Sequence, residues 1–562
     1  MPSRSSSTLP TAIKKISPTR SPSPSTFVQV PARCFARNFA KMARSYEDAI
    51  AALNSLQSNF STINAVRTRG SNRNRQAIPE MIQWCQKIGY QPSEFNRLNI
   101  IHIAGTKGKG STCTFISSIL NQYLPISSES SVDARPPMIS KVGLYTSPHL
   151  RFVRERIKIN NDPLSEQQFA KYFFEVWDKL EASAAASGND PKDPAGKPAY
   201  FRFLTLMAFH TYMCEGVDAA IIECGIGGEY DSTNIIDMPV VTGITSLGLD
   251  HQSILGNTIE EIAWNKAGIM KPGTKAFTVP QPEGAMTVLQ NRAVEKVSEL
   301  HVVTSHPELT PLAPAAIRLG LSGEFQYKNA NLAVSIAGSF LRSRGLEELP
   351  VDINSSPLPE KFKKGLETTQ LGGRCETRLE KNIAWHIDGG HTLDSIAATG
   401  KWFASEQASL LPSLGNSRPK PLILIFNQQT RDSVGLARAL HNTLSLYSAN
   451  LIFTHAIFCT NVTFKQSGYR PDLVSMNANS SEVASLRVQK ALAQAWKDVS
   501  PLTDVLTKST IEEAVDVVRE IAKAEAKSRE GDDATGDEVA VSVLVTGSLH
   551  LAGGLLEVLE TT

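Results

Sequence analysis

Ile101-His102-Ile103-Ala104-Gly105-Thr106-Lys107-Gly108-Lys109-Gly110-Ser111-Thr112 carries an apolar run into a glycine-rich turn. Beyond the turn, Ile116, Ile119, Leu120 and Tyr123 recur on one helical face. The pattern is strand, turn, helix. Glycines let successive backbone N–H groups curl around a phosphate, and the helix N-terminus adds a favourable dipole. Lys109 then reaches the outer phosphates of a nucleotide, and Ser111 or Thr112 faces Mg²⁺. The spacing is not that of the standard phosphate loop. Ile103 stands where that pattern has its first Gly, and Gly110 separates Lys109 from Ser111. A glycine-rich turn without a ligand is the competing reading, and the agreement of strand, turn, lysine and helix weighs against it.

Outward from this stretch the chain alternates short apolar runs with amphipathic ones, the signature of an α/β fold. Asn99–Ala104, Val217–Ile222 and Val240–Thr245 are unbroken apolar runs, as a parallel sheet covered on both faces requires. A second series begins near 381, with strands expected at Ile383–Ile387, Leu422–Phe426, Leu451–Phe458 and Val541–Val545. A helix is expected over Ile511–Lys527, with Ile511, Ala514, Val515, Val518 and Ile521 on one face and a capping box formed by Thr510 and Glu513. Residues 45–98 read as helical, and 125–137, 182–198 and Glu530–Glu538 as surface loops. The simplest organisation is a nucleotide-binding domain over 45–370 and a smaller Rossmann-like α/β domain over 371–562. They meet within 350–375, where Pro350, Pro357, Pro359 and Gly372-Gly373 cluster.

The 562 residues carry a net charge of +2 that conceals an asymmetry. Eight basic residues precede residue 45, and the first acidic one is Glu47. Without those eight, 49 basic face 55 acidic side chains, so the body is mildly acidic and has no nucleic-acid footprint. The Ser-, Pro- and Arg-rich segment 1–44 has the composition of a mitochondrial transit peptide or of a disordered basic tail. Met42 offers a second start that would yield a cytosolic form. Mitochondrial matrix, with inner-membrane association, and cytosol are therefore the expected locations. No apolar run reaches the length of a membrane span. Seven cysteines without a C-x-x-C pair argue against a disulfide framework and against a zinc site, and read as buried thiols in a reducing compartment.

Two further signals follow strands. Asp218–Glu223 ends in an acid and leads into Gly225, Gly227 and Gly228. In a parallel sheet the C-terminal strand edge faces the ligand, so Glu223 is placed to bind Mg²⁺ beside the phosphates. Ser246-Leu247-Gly248-Leu249-Asp250-His251-Gln252 puts His251 just past another strand, as a metal ligand, a phosphate-positioning group or a loop histidine. Lys266 lies on an otherwise apolar helical stretch, where a lysine ordinarily snorkels to the surface.

These residues carry a resemblance. The loop is similar to the shortened phosphate loop of the Mur-ligase superfamily. Ala104–Ser111, Tyr145-Thr146-Ser147-Pro148-His149-Leu150, Arg154-Glu155-Arg156-Ile157, Glu223-Cys224-Gly225-Ile226-Gly227-Gly228, Asp231-Ser232-Thr233-Asn234 and Asp250-His251 together resemble the folylpolyglutamate synthases, in that family's order. Tyr46–Ile50 is similar to the eukaryotic branch. The resemblance covers roughly residues 45–560 and implies a Mur-ligase-like P-loop ATPase domain followed by a Rossmann-like glutamate-ligase domain.

Residue by residue, the resemblance implies that Gly105, Thr106, Gly108, Lys109, Gly110 and Ser111 bind the ATP phosphates. It implies that Ser147, Glu223 and His251 hold Mg²⁺, with a monovalent cation such as K⁺ a further candidate. Lys266 matches a lysine carried as a carbamate, a step that needs a neutral amine and so a lowered pKa. Gln326, Asn329 and Ala330 match a segment whose Asn contacts adenine. Arg374 matches a nucleotide-contacting arginine at the domain junction. Asp388-Gly389-Gly390-His391 matches the second domain's signature, often Asp-Gly-Ala-His-Asn, with Gly390 and Thr392 replacing Ala and Asn. Asp388 would then serve the nucleotide and His391 glutamate, while Ser548 in Thr546-Gly547-Ser548-Leu549 matches a glutamate-side motif. The implied reaction is ATP-dependent: a folate γ-carboxylate becomes an acyl phosphate and is taken by L-glutamate, within a monomer. Arg151, Arg154 and Arg156 are candidates to face the anionic substrates. The neighbouring reading is dihydrofolate synthase, which shares most motifs; Tyr46–Ile50 and Arg67–Gly89 favour the polyglutamate enzyme by resemblance. A non-catalytic nucleotide-binding module would have lacked Lys109, Glu223 or His391.

Overall fold

Two sheets carry the fold, and both are built from the apolar runs just described. The computed structural model describes residues 44–57, 76–125, 138–311, 316–410, 420–429, 431–447, 451–466, 468, 471–473, 483, 485–529 and 539–561. The transit-like segment up to 43, Met42, and the loops expected within 126–137 and at Glu530–Glu538 lie outside the described residues.

The first sheet contains β1 (Ile101–Ala104), β2 (Val142–Tyr145), β3 (Ile157–Ile159), β4 (Asp162–Pro163), β5 (Ala219–Glu223), β6 (Val241–Ile244), β7 (Lys275–Thr278) and β8 (Glu299–Val302). Their spatial order is β4-β3-β2-β5-β1-β6-β7-β8. All neighbours are parallel except β2–β3 and β3–β4. The central strand β1 sets Ile101 beside both Ile221 and Val241. Side chains alternate between two cores. Ala219 and Ile221 of β5 join the helices Lys109–Asn121, Phe325–Ser343 and Glu360–Glu367. Ala220 and Ile222 join the aromatic helices Glu166–Ala186 and Tyr200–Glu215. Two-sided burial is why these strands read as apolar runs rather than as alternating ones.

The second sheet contains β9 (Glu376–Glu380), β10 (Ile383–Ile387), β11 (Leu422–Phe426), β12 (His455–Cys459), β13 (Asp504–Lys508) and β14 (Val541–Thr546), in the order β13-β12-β11-β14-β10-β9. It is parallel but for the edge strand β9. Ile383, Trp385 and Ile387 face one core, and Leu422, Leu424 and Phe426 the other. The helix Ile511–Arg529 starts with the expected box: Thr510 Oγ1 accepts from the Glu513 N–H at 3.1 Å and Glu513 Oε2 from the Thr510 N–H at 3.1 Å.

Several expectations change. The helix Glu166–Ala186 runs into the stretch read as a loop from 182, because Ala182 and Ala184–Ala186 are strong helix formers; Gly188 at φ +74° ends it. The run from Leu451 becomes a strand only at His455. Edge strands β8 and β9 escape a search for apolar runs because they are short and half polar (Glu299-Leu300-His301-Val302, Glu376-Thr377-Arg378-Leu379-Glu380). Cys214 is exposed, unlike the other five described cysteines, because it lies in the last turn of its helix; all six are free thiols. Among the described residues no helix is long and apolar enough to cross a membrane.

The helix Lys109–Asn121, which follows the glycine-rich turn, is seated by close approach. A Cβ on Gly365 would lie 2.7 Å from Ile119 Cα, so the helix Glu360–Glu367 touches backbone there. Gly365→Val should therefore lower the urea midpoint, costing about 1–3 kcal/mol through overpacking. An unchanged midpoint would show that the two helices are not in backbone contact.

Candidate active site

The glycine-rich turn leaves the C-terminal end of β1 and is gripped from two sides. The Thr106 and Lys107 N–H groups both donate to Ser246 C=O at 3.0 Å, tying the turn to the chain after β6. Gly108 adopts φ +87° and lies so close to Asn329 that a Cβ would fall 2.1 Å from its Oδ1. Only glycine meets both demands. Asn329, held by Gln326 Oε1 at 2.9 Å, thereby brings the start of the helix Phe325–Ser343 against the turn.

Two lysines converge on one carbonyl. Lys109 Nζ and Lys266 Nζ donate to Gly105 C=O at 3.1 and 2.8 Å. Lys266 is 3 % exposed, and burial, reinforced by the Lys109 charge, brings its ammonium down to about 7. It is thus a buried amine that deprotonates near neutrality rather than a snorkelling lysine, and it meets the chemical requirement for carbamylation.

Glu223 ends β5 and is equally buried. Its Oε2 accepts the Ser147 N–H at 2.8 Å, which places the 145–150 segment beside it. Burial pushes its carboxyl up, against the pull of Lys109. A buried carboxylate beside a hydroxyl-bearing residue suits a hard divalent cation, which would keep it ionised. His251 has φ +51° at the start of the short helix Gln252–Leu255. Desolvation first, then the Lys109 and Lys266 charges, pull its imidazole below the usual range despite Asp250, leaving the neutral form that a metal accepts.

The second sheet presents its own strand ends to this edge. After β10, Asp388 Oδ2 accepts from the Cys375 N–H at 3.0 Å, and Oδ1 from the Gly390 N–H at 2.8 Å and Thr399 Oγ1 at 2.6 Å. The carboxylate therefore shapes the Gly389-Gly390-His391 turn. A Cβ on Gly390 would lie 2.9 Å from Asp388 Oδ1, which explains glycine there. Thr392 bonds Ser395 instead, its N–H to the hydroxyl at 2.9 Å. His391 Nδ1 lies 3.0 Å from Gly389 C=O, and burial brings its pKa down to about 4, so the ring is neutral. Arg374 packs against Gly389, and its charge acts on both Glu223 and His391. Ser548 is buried just past β14, beside the same turn.

Asp250 joins the two halves. It pairs with Lys107 at 3.3 Å and with Arg431, from the chain after β11, at 3.2 Å. Burial opposes its ionisation, but Lys107, Arg431 and the hydrogen bond from the His251 N–H at 2.9 Å outweigh burial and hold it well below the usual carboxylate range. Lys107 and Arg431 were not singled out in the sequence. The rule that strand ends carry the site points to both. Of the three arginine candidates, Arg151 is committed to Glu557 and Glu560, and Arg156 is buried with its Nε donating to His149 Nδ1 at 2.9 Å. Arg154 donates to Leu164 C=O at 3.2 Å.

The relatives agree with this architecture. Over 526 residues the chain is 42 % identical to the folylpolyglutamate synthase of Neurospora crassa, covering 93 % of each. Over 522 residues it is 43 % identical to that of Saccharomyces cerevisiae (strain FostersO), covering 92 % of this chain and 88 % of that one. The chain belongs to the folylpolyglutamate synthase family. No protein-family profile matches it. The fold is that of solved family members: the Mycobacterium tuberculosis folylpolyglutamate synthase complexed with ADP and AMPPCP superposes with a TM-score of 0.59 at 22 % identity, over 92 % of this chain and 99 % of that one. The apo enzyme from L. casei gives 0.59 at 21 %, over 92 % and 100 %.

The lowered pKa of Lys266 has a direct readout. Below about pH 7 the amine is protonated and inert to CO₂; above it the free amine predominates. At fixed ¹³CO₂ pressure, the ¹³C carbamate signal should grow as pH rises through about 7 and be absent in Lys266→Arg. A signal that first appears near the ordinary lysine pKa of roughly 10.4 would contradict the assignment.

Proposed function

We propose that the chain ligates L-glutamate to the γ-carboxylate of tetrahydrofolate and its polyglutamates at the expense of ATP. The observation that carries this reading is the meeting of a phosphate-binding turn on one sheet with the Asp388–His391 turn on the other, bridged by Lys107, Asp250 and Arg431. A kinase-like step and an amide-forming step need such adjoining half-sites. The family relationship supplies the substrate class.

With the Thr106 and Lys107 N–H groups held by Ser246 C=O, the backbone N–H groups of Gly108–Ser111 cradle the ATP phosphates, and Lys109 follows the γ-phosphoryl group as charge builds on it. The folate γ-carboxylate takes that group, the bond to ADP breaks, and an acyl phosphate forms. Ser147, Glu223 and His251 are the residues that would hold Mg²⁺, which supplies charge neutralisation to the phosphates when bound. Lys266, as its carbamate, adds an anion on the metal side; K⁺ is a further cation this anionic site would take. Asn329 lies against the turn where adenine would emerge, with Arg374 on the facing side. Arg431 and Arg374 offer positive charge to the carboxylates of glutamate. His391, neutral at physiological pH, accepts a hydrogen bond from the incoming amine and orients it, with Ser548 beside it. Attack on the acyl phosphate gives a tetrahedral intermediate, the carbon–oxygen bond to phosphate breaks, and phosphate leaves carrying the amine's proton. The acyl phosphate is hydrolysable, so the facing sheets exclude water while it exists.

Radiolabelled glutamate, ATP and Mg²⁺ should label tetrahydrofolate and leave dihydropteroate unlabelled. Label on dihydropteroate alone would transfer the reading to dihydrofolate synthase, and label on neither would end the ligase reading. Lys109→Met should lower kcat by about 10²–10³-fold, the scale seen when one electrostatic donor to a transition state is lost.

A further inference from the structure

Cysteine spacing along the chain points away from a bound transition metal, yet tertiary packing assembles three different donor types at one spot. The helix Tyr200–Glu215 sets His210 and Cys214 four residues apart, on one face, and the neighbouring helix Glu166–Ala186 presents Glu175 to them. His210 Nε2 lies 2.8 Å from Glu175 Oε2 and 3.7 Å from Cys214 Sγ. The three donor atoms lie within 4.8 Å of one another.

These separations bracket those of a tetrahedral ion. Bonds of about 2.0 Å to nitrogen and oxygen and about 2.3 Å to sulfur place ligand atoms roughly 3.3–3.6 Å apart. Receiving the ion requires shifts on the order of an ångström in side chains that are partly solvent-facing at Glu175 and Cys214.

A supporting shell is present as well. Tyr90 Oη lies 2.9 Å from His210 Nδ1 and also hydrogen-bonds Cys214, so one hydroxyl contacts two of the three donor residues. With Nδ1–H donating to Tyr90, Nε2 is free of its proton, the arrangement by which protein metal sites fix a histidine ligand. Burial pulls the His210 imidazole below its usual range against the contrary effect of Glu175, which favours the neutral ring that ligation needs.

We propose that Glu175, His210 and Cys214 form a binding site for a divalent transition metal, with zinc the best fit, independent of the ligase reaction. One carboxylate and one thiolate balance the two positive charges of the ion. Cys214 gives up its thiol proton to solvent on binding, His210 stays neutral, and water completes the tetrahedron. The mixture of sulfur, imidazole and oxygen donors selects zinc over the hard cation expected beside Glu223. Burial and then the Glu175 charge push the Cys214 thiol up, against the Tyr90 hydrogen bond and the Lys179 and Lys171 charges, so the ion itself has to draw off the proton, while Tyr172 holds the adjoining Glu215 at 2.5 Å.

The position excludes a part in phosphoryl transfer. Cys214 lies just before Ala219, the first residue of β5, whereas the phosphate-side residue Glu223 is its last. The ion therefore sits at the edge of the first sheet opposite the glycine-rich turn, where it staples two helices and the chain around Tyr90.

The test uses the tag-free full chain, stripped with chelator and titrated with Co²⁺ and then Zn²⁺. Cobalt should bind with a thiolate-to-cobalt charge-transfer band that zinc abolishes, and zinc should raise the thermal midpoint. Cys214→Ser, a near-isosteric change at an exposed position, should lose the band and the zinc-dependent shift while keeping ligase activity. Tyr90→Phe should keep the band and weaken metal affinity by about 10–100-fold. Absence of the band in the unmodified chain, or its persistence in Cys214→Ser, would overturn the proposal. Cobalt bound only beside Glu223 would give no thiolate band and would count against the site in the same way.

Discussion

Two ammonium groups cannot share one buried carbonyl at full charge without cost, and much of the site follows from that constraint. Gly105 C=O receives both Lys109 and Lys266. The cost falls on Lys266, which is the more buried and whose ammonium burial and the Lys109 charge bring down to about 7. Burial, with the same positive surroundings behind it, lowers the His251 pKa, while Glu223 and Asp250 carry the acid groups. Asp250 is held firmly ionised by its cationic neighbours. Glu223, more deeply buried, is pushed the other way, and this marks it as a group that wants a cation. Protonation states that differ among neighbouring groups of the same type are how one site handles both phosphate anions and an incoming amine.

The segment 145–156 transmits order from this site to the second sheet. Ser147 donates its N–H to Glu223, and two residues on, His149 lies 2.8 Å from the Asp472 carbonyl. The Val153 N–H and the Tyr46 hydroxyl both donate to Asp472 Oδ1, at 2.7 and 2.5 Å. Arg151 reaches Glu557 and Glu560 on the C-terminal helix, and Leu150 packs so closely on Gly372 and Gly373 that a Cβ at either would fall within 2.8 Å of it. Arg151 thus belongs to the join between the halves. A charged residue next to a binding motif reads as a substrate contact until its partner, some 400 positions away, is known.

The helices that flank the first sheet show the same logic. Their aromatic core, with Phe169, Phe173, Phe203 and Phe209, is a packing device that covers one face of β2 and β5. Where this core reaches solvent it leaves His210, Cys214 and Glu175 in contact. Nothing in their positions along the chain (175, 210 and 214) announces the grouping.

Much of the fold and part of the site were legible in one dimension. Apolar runs at β1, β5, β6, β10, β11 and β14 mark a buried parallel sheet, because strands covered on both faces have no polar side. The strand–glycine turn–helix of 101–112 is legible because local backbone geometry suffices to build it. Edge strands β8 and β9 stayed hidden because an edge has a polar side and few residues. What only the tertiary structure decided are the properties that depend on distant neighbours. Asp388 spends its carboxylate on the Cys375 and Gly390 main chain, Arg431 reaches Asp250 across the two sheets, and the Lys266 ammonium is brought down to about 7 by burial and the Lys109 charge. Periodicity records which face of an element is buried, whereas the identity of the partner, and with it the state of each ionisable group, is set only when segments remote in sequence pack together.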